Sequence, residues 1–327
     1  MAFHPLISAV VAIYKPDKKY LQQAVSSVLE QTYPVEELIV VNDGDTSTVA
    51  KNWLPEDHRI RFFFKENGGI ASARNFAIEK SRGEYISFVD QDDYWYPDKL
   101  EQQVSLIPPS CRECMVCSTV DIVDEKNNRL EKETRKRQAL YDRNFSEYTV
   151  SEALLKENII YSSTPLIHRD IFRKIGGFDP NVQPHDDWDI YLRIAFSSYP
   201  IHHHKTRPLS TWRAHELNES KKMPEMIRSR CRVEKKIMTY TENPDIRKAL
   251  ELNYLLDTIE RDHWLLFKNQ RYRLFRKHIL HDLYQLMEYA RHTPREHAGN
   301  VRIRKTLLKS IRRYVYSCLL NGSQTKG

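Results

Sequence analysis

The chain has 327 residues, of which 40% are apolar and 29% are charged, a composition that excludes a disordered or fibrous protein. Five cysteines are too few for a secreted disulfide scaffold and odd in number, so we expect a reducing, cytoplasmic compartment. No apolar run reaches 18 residues, and the first residues lack a basic segment before an apolar one. Neither a transmembrane helix nor a signal peptide is therefore expected.

Charge divides the chain into two parts. Residues 221–327 hold 24 Lys or Arg and 11 Asp or Glu, a net charge of +13. The first 220 residues hold the other 27 basic and 33 acidic residues, a net charge of −6. Such asymmetry is typical of two modules with different partners. We predict one domain over residues 1–220 and a second, basic domain over residues 221–327.

The first hundred residues alternate between β-branched apolar runs and segments with helical spacing. Strands are predicted over residues 7–14, 37–41, 61–64 and 85–89, and helices over residues 21–29 and 71–80. This alternation predicts an α/β fold with a parallel sheet and crossover helices. In such a sheet, ligands bind beyond the carboxyl ends of the strands.

Acidic residues follow the predicted strands at the place where such a ligand would lie. Asn42-Asp43-Gly44-Asp45 ends the second strand, and Asp90-Gln91-Asp92-Asp93 ends the fourth. Three acids within four residues repel one another unless a cation such as Mg²⁺ or Mn²⁺ lies among them, and a solvated turn is the alternative. No Gly-x-Gly-x-x-Gly follows the first strand, and no Walker A sequence occurs. A Rossmann dehydrogenase and a P-loop NTPase are therefore disfavoured.

Seven segments follow one another in a recognisable order. They are QAVSSVLEQTYP, ELIVVNDGD, NGGIASARNFAI, SRGEYISFVDQDDYWYPDKL, LIHRDIFRKIGGFDP, HDDWDIYLR and PLSTWRAHELNES. Over about residues 6–220 they resemble the family 2 glycosyltransferases with the GT-A fold. The resemblance implies a Rossmann-like nucleotide-diphospho-sugar transferase that moves a hexose or N-acetylhexosamine from a UDP-sugar. The expected acceptor is a hydroxyl group of a glycan or lipid-linked glycan in cell-surface polysaccharide biosynthesis.

The same resemblance implies how the donor is held. Ile13 and Tyr14 would line the base and ribose, and Asp43 would contact the base. Arg74 would meet the diphosphate or pair with an acid of the site, and Gln91 occupies the middle of the Asp-x-Asp motif. Two alternatives remain open: a Tyr14 ring packed on the first helix, and a surface salt bridge for Arg74.

The resemblance also implies a bound Mn²⁺ or Mg²⁺. Asp92 would hold the cation, while Asp90 would hold ribose or share the metal. Asp93 would order the loop. Arg213 and His215 resemble the Arg-x-His motif that closes the catalytic domain. His215 would be a further metal or phosphate ligand, and a buried structural histidine is the alternative.

The segment HDDWD precedes an apolar run with helical spacing. In the resembled family its second acid is the general base, which implies Asp187 here. A single direct displacement by the acceptor implies inversion at the anomeric carbon. Because acids are also favoured at helix starts, Asp186 or Asp189 is expected to cap the helix.

Two clusters of potential metal ligands favour structural roles. Cys111, Cys114 and Cys117 lack a fourth ligand and a second pair nearby, and Cys117 falls in the predicted strand MVCSTVDIV. The run from His202 to His204 has no acid at ligand spacing, so a strand near the domain edge is predicted.

The spacing of apolar residues in the last third predicts a small bundle of three or four helices, with apolar faces over residues 252–266, 275–290 and 307–319. Its basic residues are compatible with three roles: packing within the bundle or in a homo-oligomer, binding to an anionic surface at the inner face of the cell membrane, or binding to an acidic polymer. Nucleic acid is not expected, because no recognised binding module accompanies the charge.

Two other functions remain open. A sugar-nucleotide nucleotidyltransferase would carry a glycine-rich basic loop after the first strand, which residues 15–18 do not resemble. A non-catalytic module that binds an acidic polymer or a membrane would not need Asp92 or Asp187.

Overall fold

A computed structural model describes residues 3–46, 50–147, 149–216, 218–221 and 223–268. The chain divides into two compact units, residues 1–218 and the residues from Glu219 onward.

The first unit alternates strands and helices along the chain. Its strands are β1 (Ile7–Ile13), β2 (Glu37–Asp43), β3 (Ile60–Lys65), β4 (Tyr85–Phe88), β5 (Met115–Cys117), β6 (Val120–Val123), β7 (Leu166–His168), β8 (Ile201–His203) and β9 (Ser210–Arg213). Its helices are α1 (Lys18–Leu29), α2 (Ile70–Lys80), α3 (Lys99–Ser105), α4 (Glu131–Glu147), α5 (Val150–Lys156), α6 (Arg169–Ile175) and α7 (Asp186–Phe196). Short 3₁₀ turns lie at Ala50–Trp53 and Pro180–Val182.

Seven strands form one sheet in the order β3-β2-β1-β4-β7-β5-β8. β1 to β4 are parallel, as the sequence predicts, and every residue of β1, β2 and β4 is buried. Near-continuous apolar runs are typical of strands that are covered on both faces. β7 runs antiparallel to both β4 and β5, a reversal that the sequence did not indicate. This mixed α/β sheet confirms the predicted fold class.

The apolar periodicity of α1 places one face of the helix in the core. Leu21, Ala24, Val25 and Val28 are buried there, at the i, i+3, i+4 and i+7 spacing of an amphipathic helix. The helix begins after Asp17, whose carboxylate accepts a hydrogen bond from the Tyr20 amide at 3.0 Å. This cap fixes the residue at which α1 begins.

The prediction of one strand over MVCSTVDIV was wrong, because the segment forms two strands, β5 and β6. β5 joins the large sheet, whereas β6 pairs with β9 in a separate two-stranded sheet. The chain changes sheet at Ser118 and Thr119, which are both buried. Cys114 and Cys117 are buried thiols, and Cys117 Sγ lies 3.5 Å from the Tyr141 hydroxyl. β8 is an edge strand of the large sheet, as the histidine run predicts.

Asn75 joins α2 to the turn that follows α6. Its amide group donates to the Phe178 carbonyl and accepts from the Phe178 amide, both at 2.8 Å. A Cβ atom at Gly177 would lie 2.2 Å from Asn75 Oδ1, so a side chain at this position has no room. Arg193 holds the same turn from α7 by donating to the carbonyls of Ile175 and Gly177 at 2.9 and 2.7 Å.

The described part of the second unit contains α8 (Met223–Ile237) and α9 (Pro244–Lys268). Arg230 Nε lies 2.7 Å from Asp257 Oδ2 between these two helices. Leu256 and Ile259, from the first predicted apolar face, are buried in α9. The other two faces lie outside the described residues. Within the described part of the chain, no helix is both long and apolar enough to cross a membrane.

We expect Gly177→Ala to destabilise the protein by about 1–3 kcal/mol, because the added methyl group overlaps Asn75 and must break its paired hydrogen bonds. Urea unfolding followed by tryptophan fluorescence measures the loss. In an Asn75→Ala background the same substitution should cost much less, since the overlapping atom is gone. Strictly additive effects of the two substitutions would contradict this account.

Candidate active site

Adjacent parallel strands bring the predicted site residues together. β2, β1 and β4 are neighbours in the sheet, so their carboxyl ends lie along one edge. Asp43 ends β2, Tyr14 follows β1, and the loop of residues 90–93 follows β4. This edge is where open α/β sheets bind ligands.

Arg74 is a buried cation at the centre of this edge. Its Nη2 atom lies 2.8 Å from Asp90 Oδ1, and its Nη1 atom lies 3.0 Å from Asp186 Oδ2. The guanidinium group also lies 5.3 Å from the centre of the Phe178 ring. Of the two roles predicted for Arg74, the structure shows the pairing with acids of the site. One side chain on α2 thereby joins the loop after β4 to the start of α7.

The acids of HDDWD lie in the first turn of α7, but neither acid that we expected as the cap occupies that position. The N-cap residue is His185. Asp186 pairs with Arg74 instead, and Asp189 pairs with Arg193 at 2.7 Å in a fully buried contact. The prediction was wrong because both acids are needed to balance buried arginines.

Asp187 is held by two hydrogen bonds. Its Oδ1 atom accepts from the Trp188 amide at 2.6 Å, and its Oδ2 atom accepts from Asn158 Nδ2 at 3.2 Å. Burial and the nearby charge of Asp186 raise the pKa of Asp187 to about 7. Burial also raises the pKa of Asp186, although the charge of Arg74 opposes this. A carboxyl group with a pKa near neutrality is suited to accept a proton.

The loop after β4 is fixed by two serines that precede β7. Ser162 Oγ donates to Asp90 Oδ2, and Ser163 Oγ donates to Asp93 Oδ2 at 2.6 Å. The Arg213 amide donates to Asp93 Oδ1 at 2.8 Å, and Arg213 Nε donates to the Asp92 carbonyl at 2.7 Å. Asp93 therefore orders the loop, as predicted. Burial and the charges of Asp92 and Asp90 raise its pKa well above the usual range.

Asp92, in this loop, lies next to His215, which follows β9, and both side chains are partly exposed. Asp92 Oδ2 and His215 Nε2 lie 2.7 Å apart, with 25% and 16% of their side chains exposed. Among the described residues, no three His, Cys, Asp or Glu side chains are grouped to hold a metal ion. One carboxylate and one imidazole nevertheless fit a cation that takes its other ligands from substrate phosphates and water, as Mg²⁺ usually does. Both oxygens of Asp90 are already engaged by Arg74 and Ser162.

Asp43 lies in a ring of donors at the end of β2. Its carboxylate accepts from Lys65 Nζ at 2.7 Å and from the amides of Gly68 and Gly69 at 3.0 and 2.7 Å. A side chain at Gly69, where φ is +83°, would also meet Gln183. The carboxylate is thus fixed at the point where α2 begins.

Gln91 binds the backbone of Tyr14 in both directions. Its Oε1 atom accepts from the Tyr14 amide at 2.9 Å, and its Nε2 atom donates to the Tyr14 carbonyl at 3.2 Å. Tyr14 is 46% exposed, so part of the residue is open to solvent. Ile13 is buried in the core, so its backbone is the part that can face a ligand.

The acids and buried arginines thus lie together at the carboxyl edge of the parallel strands, where open α/β sheets bind ligands. A model of the glycosyl transferase family 2 matches residues 8–176. The chain belongs to this family of glycosyltransferases. The matched family is one of glycosyltransferases and not of nucleotidyltransferases.

Curated relatives that are named as glycosyltransferases match the chain as well. An uncharacterized glycosyltransferase of Rickettsia typhi is 31% identical over 199 residues, 59% of this chain and 59% of the relative. TuaG of Bacillus subtilis, a putative teichuronic acid biosynthesis glycosyltransferase, is 31% identical over 60% of this chain and 75% of TuaG. The chain spans 33% of the length of a third relative, from Rickettsia conorii. These matches therefore cover only part of some relatives.

Solved structures of S. aureus TarS share the fold. The TarS segment 1–349 in complex with UDP has a TM-score of 0.55 at 16% identity, covering 76% of this chain and 70% of that one. The same segment in complex with UDP-GlcNAc also has a TM-score of 0.55 at 16% identity, with 78% of this chain and 73% of that one covered.

Sequence reasoning missed the residues that support the site from other segments. Asn158, Ser162 and Ser163 lie in one segment between α5 and β7, and Lys65 ends β3. The run of small polar residues before β7 was an available signal, but its partners are 72 and 70 positions away.

We expect Arg74→Met to lower the free energy of unfolding by about 3–5 kcal/mol at pH 7.5, because it leaves the buried carboxylate of Asp186 and the 31% exposed carboxylate of Asp90 without their cation. The loss should be smaller at pH 5.5. Burial raises the folded-state pKa of Asp186, and without the opposing charge of Arg74 it rises further above the unfolded value, so protonation on lowering the pH relieves the cost.

Urea unfolding at the two pH values checks this expectation. Arg173→Met is the matched control, since Arg173 is 63% exposed and pairs with Asp170 on the surface, a contact worth about 0–1 kcal/mol. Equal losses for the two variants would contradict a central role for the buried pairs.

Proposed function

We propose that the chain is an inverting, metal-dependent glycosyltransferase that moves a sugar from a UDP-sugar to a hydroxyl group of a glycan or lipid-linked glycan. One observation carries the proposal: Arg74 joins the loop of Asp90 to the first turn of α7, next to Asp187. A base and a cation-binding loop thus meet at one sheet edge. The UDP and UDP-GlcNAc complexes of TarS support the donor class, and the name of TuaG supports cell-surface polysaccharide biosynthesis.

The nucleotide would lie along the ends of β1 and β2. Asp43, fixed by its ring of donors, would contact the base, and the exposed Tyr14 ring would cover the base and ribose. Gln91 would act by holding the Tyr14 backbone. Asp90 would contact ribose while it pairs with Arg74, and Arg74 would place positive charge near the diphosphate.

The cation would be Mn²⁺ or Mg²⁺, held by Asp92 and His215 on the protein side. When bound, such an ion neutralises the charge that gathers on the departing diphosphate. Arg213 and Asp93 would contribute by fixing the loop that carries Asp92. Asp90 would share the ion only by giving up part of its contacts with Arg74 and Ser162.

Asp187 would be the general base. Its Oδ2 atom would take the proton of the acceptor hydroxyl while the acceptor oxygen bonds to the anomeric carbon. The bond from that carbon to the diphosphate oxygen breaks in the same step, and UDP leaves with the electron pair. One displacement from the opposite face inverts the anomeric configuration.

The basic third would serve contact with a membrane surface, an acidic polymer or another copy of the chain, in an enzyme of the cytoplasm or the inner membrane face. Arg228, Arg232 and Lys235 are exposed along α8. Many of the other basic residues lie outside the described residues.

We expect Asp92→Asn to remove the Mn²⁺-dependent part of UDP affinity, since the amide is a far weaker ligand for a hard cation. Calorimetric titration of UDP with and without Mn²⁺ measures this, and the ratio of the two affinities should fall to near one. Asp98→Asn, at an acid that pairs with Arg207, is the control and should keep the wild-type ratio. An unchanged ratio in Asp92→Asn would refute the cation assignment.

We expect Asp187→Asn to lower kcat by about 10²–10⁴-fold with little change in UDP affinity, because the amide cannot accept the proton. In the wild type, kcat should rise with pH through about 7 and then level off, since the deprotonated carboxylate is the active form. Steady-state rates between pH 5.5 and 8.5, with the most active donor from a panel of UDP-sugars, test both points. Asp170→Asn, at an exposed acid, should leave the profile unchanged. If Asp187→Asn lowers neither kcat nor kcat/KM by tenfold or more, Asp187 is not the general base.

A further inference from the structure

We propose that Asn158 is a positioning residue that sets the orientation of the Asp187 carboxylate, and that Arg137 of α4 holds Asn158 in place. The inference rests on the proposed function, in which Asp187 is the general base. It assigns a task to the segment between α5 and β7, which carries no helix or strand between Glu157 and Pro165.

The contact between Asn158 and Asp187 has a fixed direction. Asn158 Nδ2 donates to Asp187 Oδ2 at 3.2 Å, while Asn158 Oδ1 accepts from the Ile160 amide at 3.3 Å. Because the backbone occupies the oxygen end of the amide, its NH₂ end faces the carboxylate. An amide nitrogen donates and does not accept, so it supports the ionised carboxylate and cannot take the proton itself.

The two oxygens of Asp187 are thereby given different tasks. Oδ1 is engaged by the Trp188 amide at 2.6 Å, within α7. Oδ2 receives the longer bond from Asn158 and keeps further lone-pair capacity for a hydroxyl group. Rotation of the carboxylate would break both bonds, so Oδ2 is presented to the acceptor in one orientation.

Arg137 fixes the backbone that carries Asn158. Its Nη1 atom donates to Glu157 Oε1 at 2.9 Å, and its Nη2 atom donates to the Asn158 carbonyl at 3.2 Å. The guanidinium group also covers the Tyr161 ring, 4.7 Å from its centre. The Arg137 side chain is 21% exposed and its contact with the Asn158 carbonyl is partly buried, whereas the Glu157 side chain is 48% exposed. One arginine therefore binds the segment on both sides of the Asn158 side chain.

A misplaced base is costly, because a displacement of about 1 Å at a reacting group can lower a rate by about 10²-fold. Asn158→Ala should therefore lower kcat by about 10- to 100-fold while the donor KM and UDP affinity stay within twofold. Asn158→Asp keeps the shape but turns a repelling oxygen toward Asp187, so its kcat should fall further. Arg137→Met should lower kcat by a smaller factor, and Arg135→Met, at an 80% exposed position on the same helix, should leave it unchanged.

A second measurement separates this inference from the proposed function. In the full-length protein, carbon NMR of labelled aspartate carboxyl groups follows the titration of Asp187 without any sugar donor. Asp186, Arg74 and Tyr191 also face this carboxyl group and stay unchanged in the variants. Loss of the Asn158 bond should raise the pKa of Asp187 in Asn158→Ala and raise it more in Asn158→Asp.

An Asp187 titration that is the same in the wild type and both Asn158 variants would overturn the positioning role, whatever the activity. So would a kcat within threefold of the wild type in both variants when Asp187→Asn is inactive. If Asp187→Asn is fully active but its titration depends on Asn158, the proposed base fails while the contact stands. Thermal unfolding of each variant distinguishes a rate effect from a folding defect.

Discussion

The buried guanidinium group of Arg74 is the interaction on which the site depends. It lies between Asp90 and Asp186, which are 96 positions apart in the chain, and its side chain is 6% exposed. A buried cation is tolerated only with carboxylates close by, so α2, the loop after β4 and α7 must converge. Two acids facing one arginine, with Asp187 next to them, leave an excess of negative charge. Burial, together with that excess of negative charge, raises the pKa of Asp187 to about 7.

A second buried arginine stabilises the opposite side of the loop. Arg213 is fully buried and contacts Asp92, Asp93 and Gln23, so it joins β9 to the loop and to α1. Between these two arginines the backbone of residues 90–93 has little freedom. The Asp92 side chain contacts His215 and stays 25% exposed, while Arg213 binds the Asp92 carbonyl. The site is therefore preorganised by charge balance and not by apolar packing alone.

The sequence predicted the elements whose signal is local. The apolar runs of β1, β2 and β4 and the spacing of Leu21 and Val28 identified the parallel half of the sheet. β7 was not predicted, because a strand of three residues is too short to show a periodic pattern. Its direction depends on its pairing with β4 and β5. The roles of Asp186 and Asp189 were misjudged because a helix-start preference is local, whereas their arginine partners are set by the fold. Asn158 had no signal at all, since its contact with Asp187 spans 29 positions.

The reversed direction of β7 has a consequence for how such enzymes can diversify. Because β7 runs opposite to β4, the segment entering β7 arrives at the same edge where β4 ends. The segment from Asn158 to Ser163 therefore contacts Asp187, Asp90 and Asp93 without taking part in the parallel half of the sheet. Insertions or exchanges in that segment can therefore change the surroundings of Asp187 and of the loop of residues 90–93 while β1 to β4 keep their pairing and register.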